Sequence, residues 1–161
     1  MELGKVYLEV VIERFTNVKD LADKTIEQLT EKDINWRLNE SSNSIAVIAK
    51  HVSGNMVSRW TDFLTSDGEK STRNRIQEFS KEQMSKEKMI EIWEKGWHTL
   101  FNTLKTLKST DLLKTITIRE ENHVVIEAIE RQMAHYASHV GQIVYIGKQI
   151  KGGEWETLSI P

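Results

Sequence analysis

Proline occurs once in this chain of 161 residues, at Pro161. Average usage of about 5% would place roughly eight along a chain of this length. Proline removes a backbone donor and clashes with the preceding turn, so its absence from residues 1–160 leaves long helices uninterrupted. The apolar residues use that freedom. Val6, Leu8, Val11, Phe15, Val18, Ala22, Ile26 and Leu29 recur at steps of three and four, which predicts an amphipathic helix ending near Thr30. Ser44 has the chemistry of an N-cap for a second helix over Ile45–Leu64, with Ile45, Ile48, Val52, Met56, Trp60 and Phe63 on its apolar side. Ser85 similarly precedes a third, with Met89, Trp93, Trp97, Leu100, Leu104 and Leu107. A fourth is predicted from about Val124 to Ile150, through Val125, Ile129, Gln132, Tyr136, His139, Ile143, Ile146 and Ile150, until Gly152-Gly153 stops it.

Between these stripes the pattern changes. Thr65–Met84 is polar and aperiodic, with a turn signal at Asp67-Gly68 and a basic cluster at Arg73-Asn74-Arg75, and reads as a long crossing connection. Thr115–Arg119 alternates with period two, which points to a short extended piece. Trp155, Leu158 and Ile160 form a tail apolar enough to pack back on the helices. Four helices of roughly 20 to 27 residues, about 30 to 40 Å long, bury their stripes most economically as an all-α four-helix bundle, a single domain over residues 1–161. The long connections permit crossovers.

Composition narrows the chemistry. Lys+Arg number 22 and Asp+Glu 24, a formal charge of −2, without the concentrated positive field of a nucleic-acid binder. There are no cysteines, hence no disulfide, no thiolate ligand and no cysteine nucleophile. A metal here rests on nitrogen and oxygen donors. No apolar run approaches ~18 residues and the start lacks a signal-peptide pattern, so the expectation is a soluble, cytoplasmic protein with no membrane partner.

Of the five histidines, His135 and His139 stand one helical turn apart, where both imidazoles reach one ion. They lie on the inward side of the fourth helix with Gln132 and Gln142, and a shared metal would satisfy ring nitrogens that burial leaves unpaired. No glutamate follows the first of the pair, so this is not the His-Glu-x-x-His motif of metallopeptidases. A third ligand has to come from another helix, and His51, on or beside the buried side of the second, fits. His98 lies opposite its helix's stripe and reads as solvated. His123, beside Glu120, Glu121 and Asn122, reads as a turn residue with a lesser claim as a fourth ligand. Arg73 and Arg75 read as surface arginines, solvated or salt-bridged, with an anionic substrate as the alternative. Trp60, Trp93 and Trp97 belong to the core, while Trp36 and Trp155 lie on irregular segments.

Three blocks carry a family resemblance. Asn43-Ser44-Ile45-Ala46 continues through His51-Val52-Ser53-Gly54-Asn55 to Ser58-Arg59-Trp60-Thr61-Asp62-Phe63-Leu64 and Asp67-Gly68-Glu69-Lys70. The others are Arg131-Gln132-Met133-Ala134-His135-Tyr136-Ala137-Ser138-His139-Val140-Gly141-Gln142-Ile143-Val144-Tyr145 and Trp155-Glu156-Thr157-Leu158-Ser159-Ile160-Pro161. In order and spacing they resemble the DinB/YfiT-like metalloenzyme superfamily over nearly the whole chain. The resemblance implies a four-helix bundle with up-down-down-up connectivity and a divalent metal, often zinc or nickel, held by His51, His135 and His139. Superfamily members include bacillithiol S-transferases and the mycothiol-dependent maleylpyruvate isomerase, so it also implies a low-molecular-weight thiol as cosubstrate. The expected activity is thiol transfer to a small electrophile by a homodimer. The alternatives are a metal-hydroxide hydrolase and a non-catalytic dimeric metal-binding bundle. Asn55, Gln132 and Gln142 are expected to orient ligands or substrate, and no residue stands out as a general base.

Overall fold

The computed structural model describes residues 2–158 and is mostly helical. Four long helices, α1 (Leu3–Glu27), α3 (Ile45–Trp60), α5 (Lys86–Thr106) and α6 (Val125–Lys151), alternate with two single-turn helices, α2 (Glu31–Ile34) and α4 (Arg75–Glu78). A two-stranded hairpin, β1 (Thr115–Ile118) and β2 (Glu121–Val124), precedes α6. Each long helix packs on two others: α1 on α5 and α6, α3 on α5 and α6. No helix among the described residues is long and apolar enough to cross a membrane.

The helix starts follow local chemistry. The Ser44 and Ser85 hydroxyls accept from the backbone N–H of Val47 and Lys88, satisfying first-turn donors that have no partner within the helix. The ends depart from the periodicity. The first helix stops at Glu27 rather than near Thr30, because Thr30 caps α2 in a reciprocal capping box with Asp33. The second stops at Trp60 rather than Leu64, because Asp62 takes a left-handed backbone, φ 48°, although Phe63 beyond it is still buried. The polar connection is also not wholly irregular: Asn74 caps α4 within it.

The extended piece seen in the alternation at Thr115 pairs antiparallel with β2, Ile116 opposite His123 and Ile118 opposite Glu121. Arg119 and Glu120 form a two-residue turn, both with positive φ, of the kind that matches strand twist. Neither is glycine. The turn is held instead by Asp67, whose carboxylate accepts from Arg119 N at 2.9 Å and Glu120 N at 2.8 Å, tying the connection after α3 to the hairpin.

The core is centred on one aromatic ring from each long helix. Phe15 of α1 lies 6.5 Å from Trp60 of α3, 6.4 Å from Trp97 of α5 and 6.0 Å from Tyr136 of α6. All four are at most 1% exposed. Burying a ring of this size contributes on the order of 2–3 kcal/mol, and the cluster also fixes register. The Trp60 indole N–H donates to the Tyr136 hydroxyl at 3.1 Å, which donates to Asn55 Oδ1 at 2.8 Å. Asn55 is one turn from His51, and Tyr136 adjoins His135, so this chain of bonds sets α3 against α6 at the height of the histidines. At the C-terminal end Gln28 holds the backbone of Glu156 from both sides, its Nε2 donating to the carbonyl and its Oε1 accepting from the N–H. Trp155 packs beside Gly147, where a Cβ would meet its ring at 3.1 Å. Ile160, also assigned to the packing tail, lies outside the described residues.

Candidate metal centre

The three histidines meet. Ring centroids of His51 and His135 are 5.4 Å apart, His51 and His139 5.0 Å, and His135 and His139 4.8 Å. One nitrogen from each falls in a group whose members lie within 4.8 Å of one another. The pair on α6 converges because an i, i+4 spacing stacks the rings on one face, and the register set by Tyr136 brings His51 opposite.

Which nitrogens face inward follows from what holds the others. His51 Nδ1 donates to Glu78 Oε2 at 3.1 Å, His135 Nδ1 faces Gln132 Oε1 at 3.4 Å, and His139 Nδ1 faces Gln142 Oε1 at 3.1 Å. Each ring thus has an oxygen acceptor for its Nδ1 proton, which leaves Nε2 with a lone pair. The Nε2 atoms of His135 and His139 are 3.1 Å apart. Two lone pairs at that distance repel unless a proton or cation lies between them. Nitrogens sharing a tetrahedral zinc at about 2.05 Å would stand about 3.3 Å apart. The donor set therefore fits a divalent cation, with an oxygen partner behind every ligand ring as metal-bound histidines ordinarily have.

Electrostatics keep the rings in the ligating state. Burial, then the neighbouring charges of His139, His51, Arg73 and Arg59, lowers the His135 pKa to about 4. Burial also lowers His139, against a raising contribution from its bond to Gln142. Both imidazoles are neutral at pH 7.

Behind His51 lies an arrangement that periodicity did not disclose. Glu78, in α4, is 8% exposed. Arg73 donates to it twice, Nε to Oε1 and Nη2 to Oε2, both at 2.8 Å. Burial alone would raise the carboxyl pKa, but the bonds from Arg73 and then His51 outweigh it and hold Glu78 below its ordinary range. Arg73 is therefore not a surface arginine: its side chain is 3% exposed and is also paired with Glu69 at 3.2 Å. Gly54 makes room for this pair, since a Cβ there would lie 2.2 Å from Glu78 Oε1. Phe79 covers the His51 ring at 4.7 Å.

The remaining candidates fall elsewhere. His98 is exposed and bonded to Asn102, as its position opposite the stripe predicts. His123 pairs with Glu127 at 2.9 Å and lies outside the group, so its claim as a fourth ligand finds no geometry. Arg75 is exposed. Gln132 and Gln142 stand behind His135 and His139, whereas Asn55 bonds Tyr136 and supports the register instead. Glu78 sits in an aperiodic stretch that reads as a crossing connection, and the cap that starts its helix, Asn74, emerges only in the structure.

The sequence profile of the family described as "Protein of unknown function (DUF1572)" matches residues 2–161. The chain belongs to this family. No curated protein matches it. Membership of DUF1572 names no reaction, so the centre's chemistry has to be read from the residues themselves.

Proposed function

We propose that this DUF1572 protein is a divalent-metal-dependent enzyme that transfers a low-molecular-weight thiol to a small electrophile, on a DinB-like four-helix bundle with up-down-down-up connectivity. The observation that carries the reading is the convergence of one ring nitrogen from each of three histidines, each ring backed by an oxygen acceptor, with no fourth histidine or carboxylate in the group among the described residues. Three neutral imidazoles leave a cation its full charge and a position for a small molecule, where it supplies Lewis acidity and favours the deprotonated form of what binds.

The protein's own groups around the centre hold the ligand rings and do not act as a base. The acid touching a ligand ring is Glu78, and it is committed: two bonds from Arg73 and one from His51 keep it ionised and immobile. Its work is to hold the proton on His51 Nδ1 and aim Nε2. Gln132 and Gln142 do the same for His135 and His139, and carboxamides take up no proton near pH 7. With these groups engaged, the nucleophile has to be acidic enough to lose its proton once it is bound to the cation. A thiol, with a free pKa of about 8.5, starts closer to that condition than water, at about 15.7, but a bound divalent cation brings water to about 7 as well, so the chemistry of the centre admits either nucleophile. The chain has no cysteine, so the sulfur arrives with the cosubstrate. The superfamily resemblance of the histidine blocks is what favours the thiol, and it adds zinc or nickel as the ion.

Cobalt-substituted protein titrated with a small thiol tests this. A sulfur-to-metal charge-transfer band that saturates with thiol, and is lost in His135→Ala, is expected. Absence of the band at saturating thiol, with hydrolysis of a model ester, would replace the reading with a hydrolase.

A further inference from the structure

On the outer face of α3, beside the metal centre, lies a cavity of about 620 Å³ that the histidine chemistry does not use. Its floor is Ser53, Gly54 and Val57, and Ile92 and Lys95 of α5 close one side. The connection from Lys70 to Glu78 closes the other. The volume falls in the range of small-molecule sites. Glu78 forms part of the wall, so one carboxylate stands between this cavity and His51.

The lining is unbalanced in charge. Arg73 and Glu78 neutralise each other, which leaves Lys50, Lys70 and Lys95 facing a single carboxylate, Asp62. Among the described residues none of the three lysines has a carboxylate within 4.0 Å. Lys50 Nζ donates to the carbonyls of Gln77 and Ser80, and Lys70 Nζ to those of Ser58 and Asp67. An ammonium carries three N–H groups, so each keeps one for another acceptor. Burial draws both pKa values below the ordinary lysine range, as expected of charges short of a counter-charge. Half-buried cations short of a counter-charge are costly, and an anion resting here would supply one.

We propose that this cavity binds a small organic anion with an apolar body, drawn by the excess positive charge that Lys50, Lys70 and Lys95 place around the wall, its body lying along Val57 and Ile92. The site is separate from the three histidines, and its test does not depend on whether they hold a metal.

The probe is phenyl phosphate, added to full-length protein in the presence of a chelator and followed by calorimetry and by amide chemical shifts. One-to-one binding is expected, with shifts centred on residues 53–57 and 70–74. Benzyl alcohol, of similar shape but neutral, should bind at least about tenfold more weakly, the loss of a charge-assisted hydrogen bond. Lys95→Glu, on an exposed helical position where folding is not at stake, should weaken phenyl phosphate at least about fivefold, and Lys70→Met should act in the same direction. No binding at millimolar probe, affinity unchanged by both variants, equal affinity for the alcohol, or shifts centred on residues 132–142 would each overturn the proposal, the last by placing the anion among the histidines.

Discussion

Glu78 and His51 are 27 residues apart in sequence and 3.1 Å apart in space, joined through His51 Nδ1. The contact fixes the tautomer of the one candidate ligand that does not come from α6. It also makes the connection between α3 and α5 part of the centre, and the following outcomes test that dependence as well as the histidines themselves.

His51→Ala, His135→Ala and His139→Ala should each abolish stoichiometric divalent metal, measured by elemental analysis after dialysis. His98→Ala should retain it, because His98 bonds Asn102 on an exposed face.

Glu78→Gln keeps an oxygen for His51 but loses the ion pair with Arg73. Metal affinity should fall by about 10- to 100-fold, as for other groups that orient a ligand from behind. Arg73→Ala leaves the Glu78 carboxylate buried without its main partner and should cost about 3 kcal/mol of stability, read from urea unfolding midpoints.

Gly54→Ala separates helix stability from site geometry. Alanine favours a helix interior by about 1 kcal/mol over glycine. Its Cβ would sit 2.2 Å from Glu78 Oε1, and Arg73 and His51 hold that carboxylate in place. Far-UV dichroism should be unchanged while metal affinity drops at least about tenfold, the low end for a disturbed partner of a ligand.

The metal-free protein should lose stability as pH falls from about 6.5 to about 4. In the folded state the His135 pKa is depressed to about 4, while an unfolded histidine titrates near 6.5. Over that window the unfolded chain binds the proton and the folded chain does not, so acid favours unfolding. His139 acts in the same direction, and Glu78, also depressed, adds a loss at lower pH. Urea midpoints at pH 7 and pH 5 check it: equal midpoints, or a higher one at pH 5, would contradict the neutral folded-state histidines.

Chelation should lower the melting temperature and leave the helical dichroism intact. The aromatic cluster of Phe15, Trp60, Trp97 and Tyr136 is complete without an ion. A coil spectrum after chelation at room temperature would point instead to a structural metal.

The four long helices were legible because their stripes run unbroken and their buried residues match them, from Leu8 to Leu29 and from Val125 to Ile143. The coming together of His51, His135 and His139 was legible for the same reason, since all three lie on or beside those stripes. What escaped depends on the path of the chain between helices. Asp62 breaks α3 through its backbone angle, Thr30 begins a new turn through its hydroxyl, and β2 acquires its strand only from β1. Glu78 gave no periodic signal, because its position depends on Arg73, Gly54 and His51, which no single local pattern joins.

Gly54 offers a way to sort relatives that share the histidine trio. Where the equivalent position carries a side chain, a carboxylate placed as Glu78 is here has to shift away from the α3 helix, and with it the oxygen that aims the α3 histidine. A single hydrogen in place of a methyl group is thus what lets the connection after α3 reach in behind a ligand ring, so this one position tells, in a sequence alone, whether that reach is open.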